Sequence, residues 1–235
     1  MTLQEIMEKL KELGTEQTKK TFIRHGATEP IFGVKVGDLK KLVKHVKKDQ
    51  ELALSLYETG NYDAMYLAGL TVDPKLVSKE LLQKWVKQAY CYGLSEYTVA
   101  GVAAESNYAL ELAREWIESD SETIATSGWS TYTNYLSITP DEKLDVEEIR
   151  QLLNRIETTI HQEKNRVRYT MNNFVIAVGT FVKALNKEAY EVGGKIGKVH
   201  VNFGETACKV PLATEYIKKV EARGKIGSKK KTCIC

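Results

Sequence analysis

The run Asn165-Arg166-Val167-Arg168-Tyr169-Thr170-Met171-Asn172-Asn173-Phe174 carries side chains suited to holding a polyanion. At helical spacing Arg166, Tyr169, Asn173 and Ala177 fall on one line, with Val167, Met171, Phe174, Val175 and Val178 on the apolar side. Guanidinium forks bind phosphate oxygens, and carboxamides reach phosphates or base edges, so this row fits nucleic acid better than an apolar ligand. The competing reading is a solvated helix face, or asparagines such as Asn172 satisfied inside a helical bundle.

Other cations gather at Lys40, Lys41, Lys44, Lys47 and Lys48, at Arg150, Arg155 and Lys164, and at Arg223, Lys225, Lys229, Lys230 and Lys231. Acids concentrate around Glu111 to Glu122 and Asp141 to Glu148. The net charge of +3 implies no partner alone, but this segregation predicts one positive face. Residues 225–235 read as a flexible basic tail, able to gain affinity by releasing phosphate counterions or simply to keep the chain soluble.

Chemistry of other kinds is not encoded. His25, His45, His161 and His200 are scattered, and Cys91, Cys208, Cys233 and Cys235 lack metal-ligand spacing, so no metal, no cofactor and no nucleophile-base pair is expected. Gly193-Gly194-Lys195-Ile196-Gly197-Lys198 lacks the preceding strand and the hydroxyl residue of a nucleotide loop. The thiols read as reduced, and no apolar run approaches a signal core or membrane span, so a cytoplasmic chain without membrane contact is expected.

The elements that position these residues are helices. Apolar stripes at Leu39, Leu42, Val43 and Val46, at Leu81, Leu82, Trp85, Val86 and Ala89, at Leu110, Leu112, Ala113, Trp116 and Ile117, and at Val146, Ile149, Leu152, Leu153 and Ile156 have helical period. Breakers separate them, including Gly60-Asn61, Asp73-Pro74, Thr139-Pro140 and Gly193-Gly194. Nothing alternates at period two, and 198–203 reads as an extended connection. The expected fold is all-α: an α-solenoid of degenerate HEAT or armadillo-like repeats forming a single domain over 1–224, with a concave basic face where a long ligand would lie.

Arg24-His25-Gly26-Ala27, the run from Phe32 to Leu42, Leu56-Tyr57-Glu58-Thr59-Gly60-Asn61-Tyr62-Asp63-Ala64 and Glu115-Trp116-Ile117-Glu118-Ser119-Asp120 together resemble the AlkD-like DNA alkylation repair family. The resemblance spans most of Thr21 to Leu185. It implies a HEAT-like solenoid that holds duplex DNA and, in active members, a glycosylase that excises positively charged N3- or N7-alkylated purines.

The resemblance does not carry over the family's catalytic groups. Its aspartate falls near Thr98, its phosphate-binding arginine near Thr126 or Ser127, and its second cleft tryptophan near Asn173, while Tyr90 to Thr98 contains no tryptophan. A substitute can be argued physically, because an alkylated purine leaves readily and mainly needs a carboxylate near the developing sugar cation. Glu96 is the one acid in that segment, among Tyr90, Tyr92 and Tyr97, whose rings can meet a cationic base. Otherwise Glu96 is part of helix packing and an ion pair.

Trp129 and Tyr132 share a helix face and either line the same aromatic cleft as Tyr92 and Tyr97 or fill the core. The expected DNA contacts are Lys40, Lys41, Lys44, Arg166, Arg168, Asn172, Asn173, Lys229, Lys230 and Lys231, made by a monomer to damaged duplex DNA. Two function classes stand: a glycosylase of the 3-methyladenine and 7-methylguanine type assisted by Glu96, and a non-catalytic DNA-binding or protein-binding helical scaffold.

Overall fold

The structure, a computed structural model, describes residues 1–234. Among them are thirteen α-helices and no β-strand, which is the expected all-helical class. Cys235, one of the expected reduced thiols, lies outside the described residues. The described residues group into two compact units.

The first unit contains Met1–Tyr108 together with Gly204–Thr206. Its helices are α1 (Leu3–Leu13), α2 (Glu16–Arg24), α3 (Val36–Val46), α4 (Gln50–Glu58), α5 (Tyr62–Thr71), α6 (Lys79–Gln88) and α7 (Ala100–Glu105), with a π-helix at Gly93–Val99. Side-chain caps set several starts. Thr2 and Glu5 form a capping box on α1, and Thr15, Asp49, Asn61 and Ser78 accept first-turn N–H groups of α2, α4, α5 and α6. Amphipathic α3 buries Leu39, Leu42 and Val46 and leaves its lysines outside.

Helix α5 has no polar face. Tyr62 to Met65, Leu67 to Gly69 and Thr71 are all buried, which makes it the central element of this unit, packed on α3, α4 and the π-helix. Its Asp63 carboxylate is fully buried and accepts N–H bonds from Phe32 (2.7 Å), Gly33 (3.0 Å) and Val34 (2.7 Å). Burial pushes that carboxyl above its ordinary range, against the pull of the three N–H groups. The connection from α2 to α3 is thereby fastened to the core rather than left as a surface loop.

The second unit contains Ala109–Phe203 and Ala207–Cys233. It is built from α8 (Ala109–Ile117), α9 (Glu122–Ile138), α10 (Val146–Thr159), α11 (Asn165–Phe181), α12 (Asn186–Ile196) and α13 (Ala213–Glu221). Helix α9 lies between α8 and α11, and α11 also packs on α12 and α13. Gly128 lets α8 and α9 approach, since a Cβ there would lie 2.5 Å from the Ile117 backbone nitrogen. Residues 198–203 form no strand, as expected. They are held by Asn165, whose Nδ2 donates to the Asn202 carbonyl (2.8 Å) while its Oδ1 accepts the Asn202 N–H (2.7 Å).

Three residues of the segment expected to be a flexible basic tail make contacts with the second unit's helices. The Gly227 N–H donates to the Thr180 carbonyl (2.7 Å), and the Lys230 N–H donates to the Ser137 carbonyl (2.8 Å). Lys229 Nζ donates to the Leu136 carbonyl (2.9 Å) and pairs with Asp141 (2.8 Å). The segment therefore satisfies carbonyls in the last turn of α9, where an ammonium group also suits the negative helix end.

Candidate nucleic-acid interface

In the first unit, Lys40 and Lys44 of α3 stand one turn apart, and Lys47 and Lys48 follow its end. All four are exposed, and among the described residues none of them is in an ion pair. Lys41 is also exposed but pairs with Asp38 across one turn (2.7 Å). The buried stripe Leu39, Leu42 and Val46 fixes the helix and so fixes which way these ammonium groups are carried.

The cations of the second unit are used differently. Arg114 grips Glu148 with two bonds (2.6 and 2.7 Å), Arg150 pairs with Glu147 and with Glu188 (2.8 Å), Arg155 pairs with Glu118, and Lys195 pairs with Glu157 (2.9 Å). Sequence clustering of Arg150 and Arg155 therefore does not translate into unneutralised charge. Each guanidinium meets an acid from another turn or another helix, which linear charge runs do not show.

The α11 row is partly assembled. Arg166, Tyr169 and Asn173 are half-buried along it, while Ala177 is buried. The Arg166 guanidinium lies 4.3 Å from the Tyr169 ring centre and 5.4 Å from that of Phe203, and the two rings meet edge to face. Arg168 is half-buried, with Nη2 3.4 Å from Asn165 Oδ1. Asn172 is fully buried and donates to the Pro211 carbonyl (3.0 Å), which positions the 197–212 connection. Lys229 is likewise committed to α9 and Asp141.

The expected aromatic cleft is not formed as a set. Trp129 and Tyr132 have 0% and 1% exposure, and both meet Phe174 edge to face at 5.3 and 5.4 Å, inside the core of the second unit. Their large apolar area explains this placement: helix packing is the cheaper way to remove it from water. The core alternative is the one realised.

The remaining cleft candidates belong to the first unit. Tyr92 bonds His25 Nδ1 and meets its ring edge on, bringing Arg24-His25-Gly26 against the start of the π-helix. Glu96, the candidate acid, is 5% exposed. Tyr97 beside it is 54% exposed. Cys91 is buried, which pushes its thiol up and leaves it unreactive.

Two close approaches with α5 set this geometry. A Cβ on Gly69 would lie 2.5 Å from Thr98 Cγ2, and a Cβ on Gly93 would collide with the Tyr62 hydroxyl. Neither approach was legible from spacing. The signal available was a glycine inside an otherwise helical, apolar α5, where such a residue often marks tight packing.

A family model described as DNA alkylation repair enzyme matches residues 6–217. An uncharacterised protein of Listeria monocytogenes is 35% identical over 230 residues, covering 96% of this chain and 100% of its own. One of Listeria innocua is 36% identical over 228 residues, covering 95% and 99%. A solved structure described as "a new family of proteins related to the HEAT-like repeat DNA glycosylases with affinity for branched DNA structures" is 39% identical, with a TM-score of 0.92 and full coverage of both chains.

Proposed function

The chain belongs to the DNA alkylation repair enzyme family, and from that premise we propose that it binds DNA by its backbone, favours branched DNA, and does not excise bases. The observation that carries this reading is the contrast within the site. Lys40 and Lys44 of α3 are exposed and, among the described residues, in no ion pair, whereas the groups an excision would use are withdrawn: Glu96 is buried in the π-helix and Trp129 and Tyr132 are core. A carboxylate that stabilises a sugar cation must be reachable by the sugar.

Cationic contacts to phosphates supply affinity without reading sequence, which suits a protein that recognises DNA shape. Affinity for branched structures is described for the 39% identical structural relative, and its full-length match supports the same preference here. Lys40, Lys44, Lys47 and Lys48 are assigned the main phosphate contacts, with Arg166, Lys230 and Lys231 as further cations of the second unit.

The test combines two assays on the wild-type chain. Fluorescence anisotropy with a four-way junction and with a linear duplex built from the same sequences is expected to give at least ten-fold tighter junction binding. Release of 7-methylguanine and 3-methyladenine from methylated duplex is expected to stay at the spontaneous rate. Equal affinity for the two DNAs removes the branched-DNA preference. Release above the spontaneous rate, abolished in Glu96→Gln, restores the glycosylase reading.

A further inference from the structure

From Gly93 to Ala104 every side-chain position is buried except Tyr97. The segment is the π-helix and the start of α7, and it contributes Leu94, Val99, Val102 and Ala103 to the core at 0% exposure. The Tyr97 ring, 54% exposed, is the one side chain of this run that is presented to solvent, and it offers a flat aromatic face there.

Its platform is also rigid. Thr98, the next residue, is locked against Gly69 of α5, and Gly93 at the other end of the π-helix lies under the Tyr62 hydroxyl. Glu96 before it is buried. An aromatic ring held this way gives up little freedom when a flat partner lands on it.

We propose that Tyr97 is a stacking platform for an unpaired or helix-end base at the branch point of a DNA junction. This rests on the DNA-binding reading above and names the feature of the DNA that is recognised. Every base has a π-face, so stacking is tolerant of sequence, while the base pairs of a continuous duplex are closed to it. Branch points expose such faces. The α3 lysines of the same unit provide the phosphate attraction that stacking alone lacks.

The burial of Glu96, its neighbour in the chain, fits such a platform. A ring that stacks on a neutral base needs no charge partner, whereas a site for a cationic lesion would gain from an accessible acid. Glu96 is turned away from water while Tyr97 is presented to it.

The test uses the full chain and a three-way DNA junction carrying 2-aminopurine at an unpaired branch position, with linear duplex as control. Wild type is expected to bind the junction more tightly than the duplex and to quench the 2-aminopurine. Tyr97→Ala is expected to lose roughly ten-fold in junction affinity and to abolish the quench, with duplex affinity changed less than about two-fold. Tyr97→Phe and Tyr97→Trp, which keep a ring, are expected to keep both signals.

If wild type prefers the junction and Tyr97→Ala does so equally, with the quench intact, stacking by Tyr97 is wrong while the branched-DNA reading survives. If wild type itself shows no preference, both fall. An equal loss on duplex and junction marks Tyr97 as a general contact and also overturns the proposal.

Discussion

Gly69 of α5 and Thr98 of the π-helix approach so closely that a Cβ on the glycine would lie 2.5 Å from Thr98 Cγ2 and 3.3 Å from Thr98 Cα. The contact fixes the segment that presents Tyr97. Gly69→Ala gains about 1 kcal/mol of helix propensity but must displace a β-branched side chain and its backbone, which costs about 1–3 kcal/mol. We expect a net loss of stability in urea unfolding and a parallel loss of junction affinity. Adding Thr98→Ser, which removes Cγ2, is expected to recover most of both; a double variant no better than Gly69→Ala alone would show that this contact does not set the geometry.

Asp63 holds residues 32–34 through three N–H bonds to one buried carboxylate. Asparagine has a single acceptor oxygen, so its amide nitrogen must face at least one of these N–H donors, such as that of Val34. Asp63→Asn is therefore expected to destabilise the chain by about 2–3 kcal/mol, measured as a lower urea midpoint at unchanged slope. A loss under about 0.5 kcal/mol would mean that the loop is fastened by other contacts.

Lys229 separates two views of the chain end. As a strap, its ammonium bridges Asp141 and the Leu136 carbonyl with 17% of the side chain exposed. Lys229→Ala is then expected to cost about 1–2 kcal/mol of stability and to leave the salt dependence of DNA binding unchanged. Lys231→Ala, at an exposed position, is expected to do the reverse. If Lys229→Ala instead weakens DNA binding at unchanged stability, the residue serves DNA and not α9.

Much of the architecture was readable from the chain because helical burial leaves a periodic trace. The stripes Leu39-Leu42-Val46 and Ile149-Leu152-Leu153-Ile156 are buried as their spacing predicts, and the breakers at Gly60-Asn61 and Thr139-Pro140 fall between helices. The α3 lysines were legible for the same reason: they lie opposite a stripe.

What escaped sequence reasoning lacks such a trace. Asn172 reads equally as a DNA contact or as a group satisfied inside the bundle until the Pro211 carbonyl, distant in sequence, takes its amide. Arg150 and Arg155 read as a basic cluster until Glu188 and Glu118 from other helices neutralise them. The segment Gly93–Val99 is a π-helix in which Tyr97 is exposed and Glu96 buried, although its composition fits an ordinary helix. In each case the deciding partner is supplied by tertiary packing.

The most direct measurement of how this chain holds DNA is the salt dependence of junction binding by wild type and by the Lys40→Ala, Lys44→Ala, Lys47→Ala triple variant. Each phosphate contact contributes close to one unit to the slope of log K against log salt. The account predicts a slope flatter by about 2–3 units in the triple variant, with folding unchanged because all three side chains are exposed. A slope equal to that of wild type would contradict it and would place the DNA on another surface.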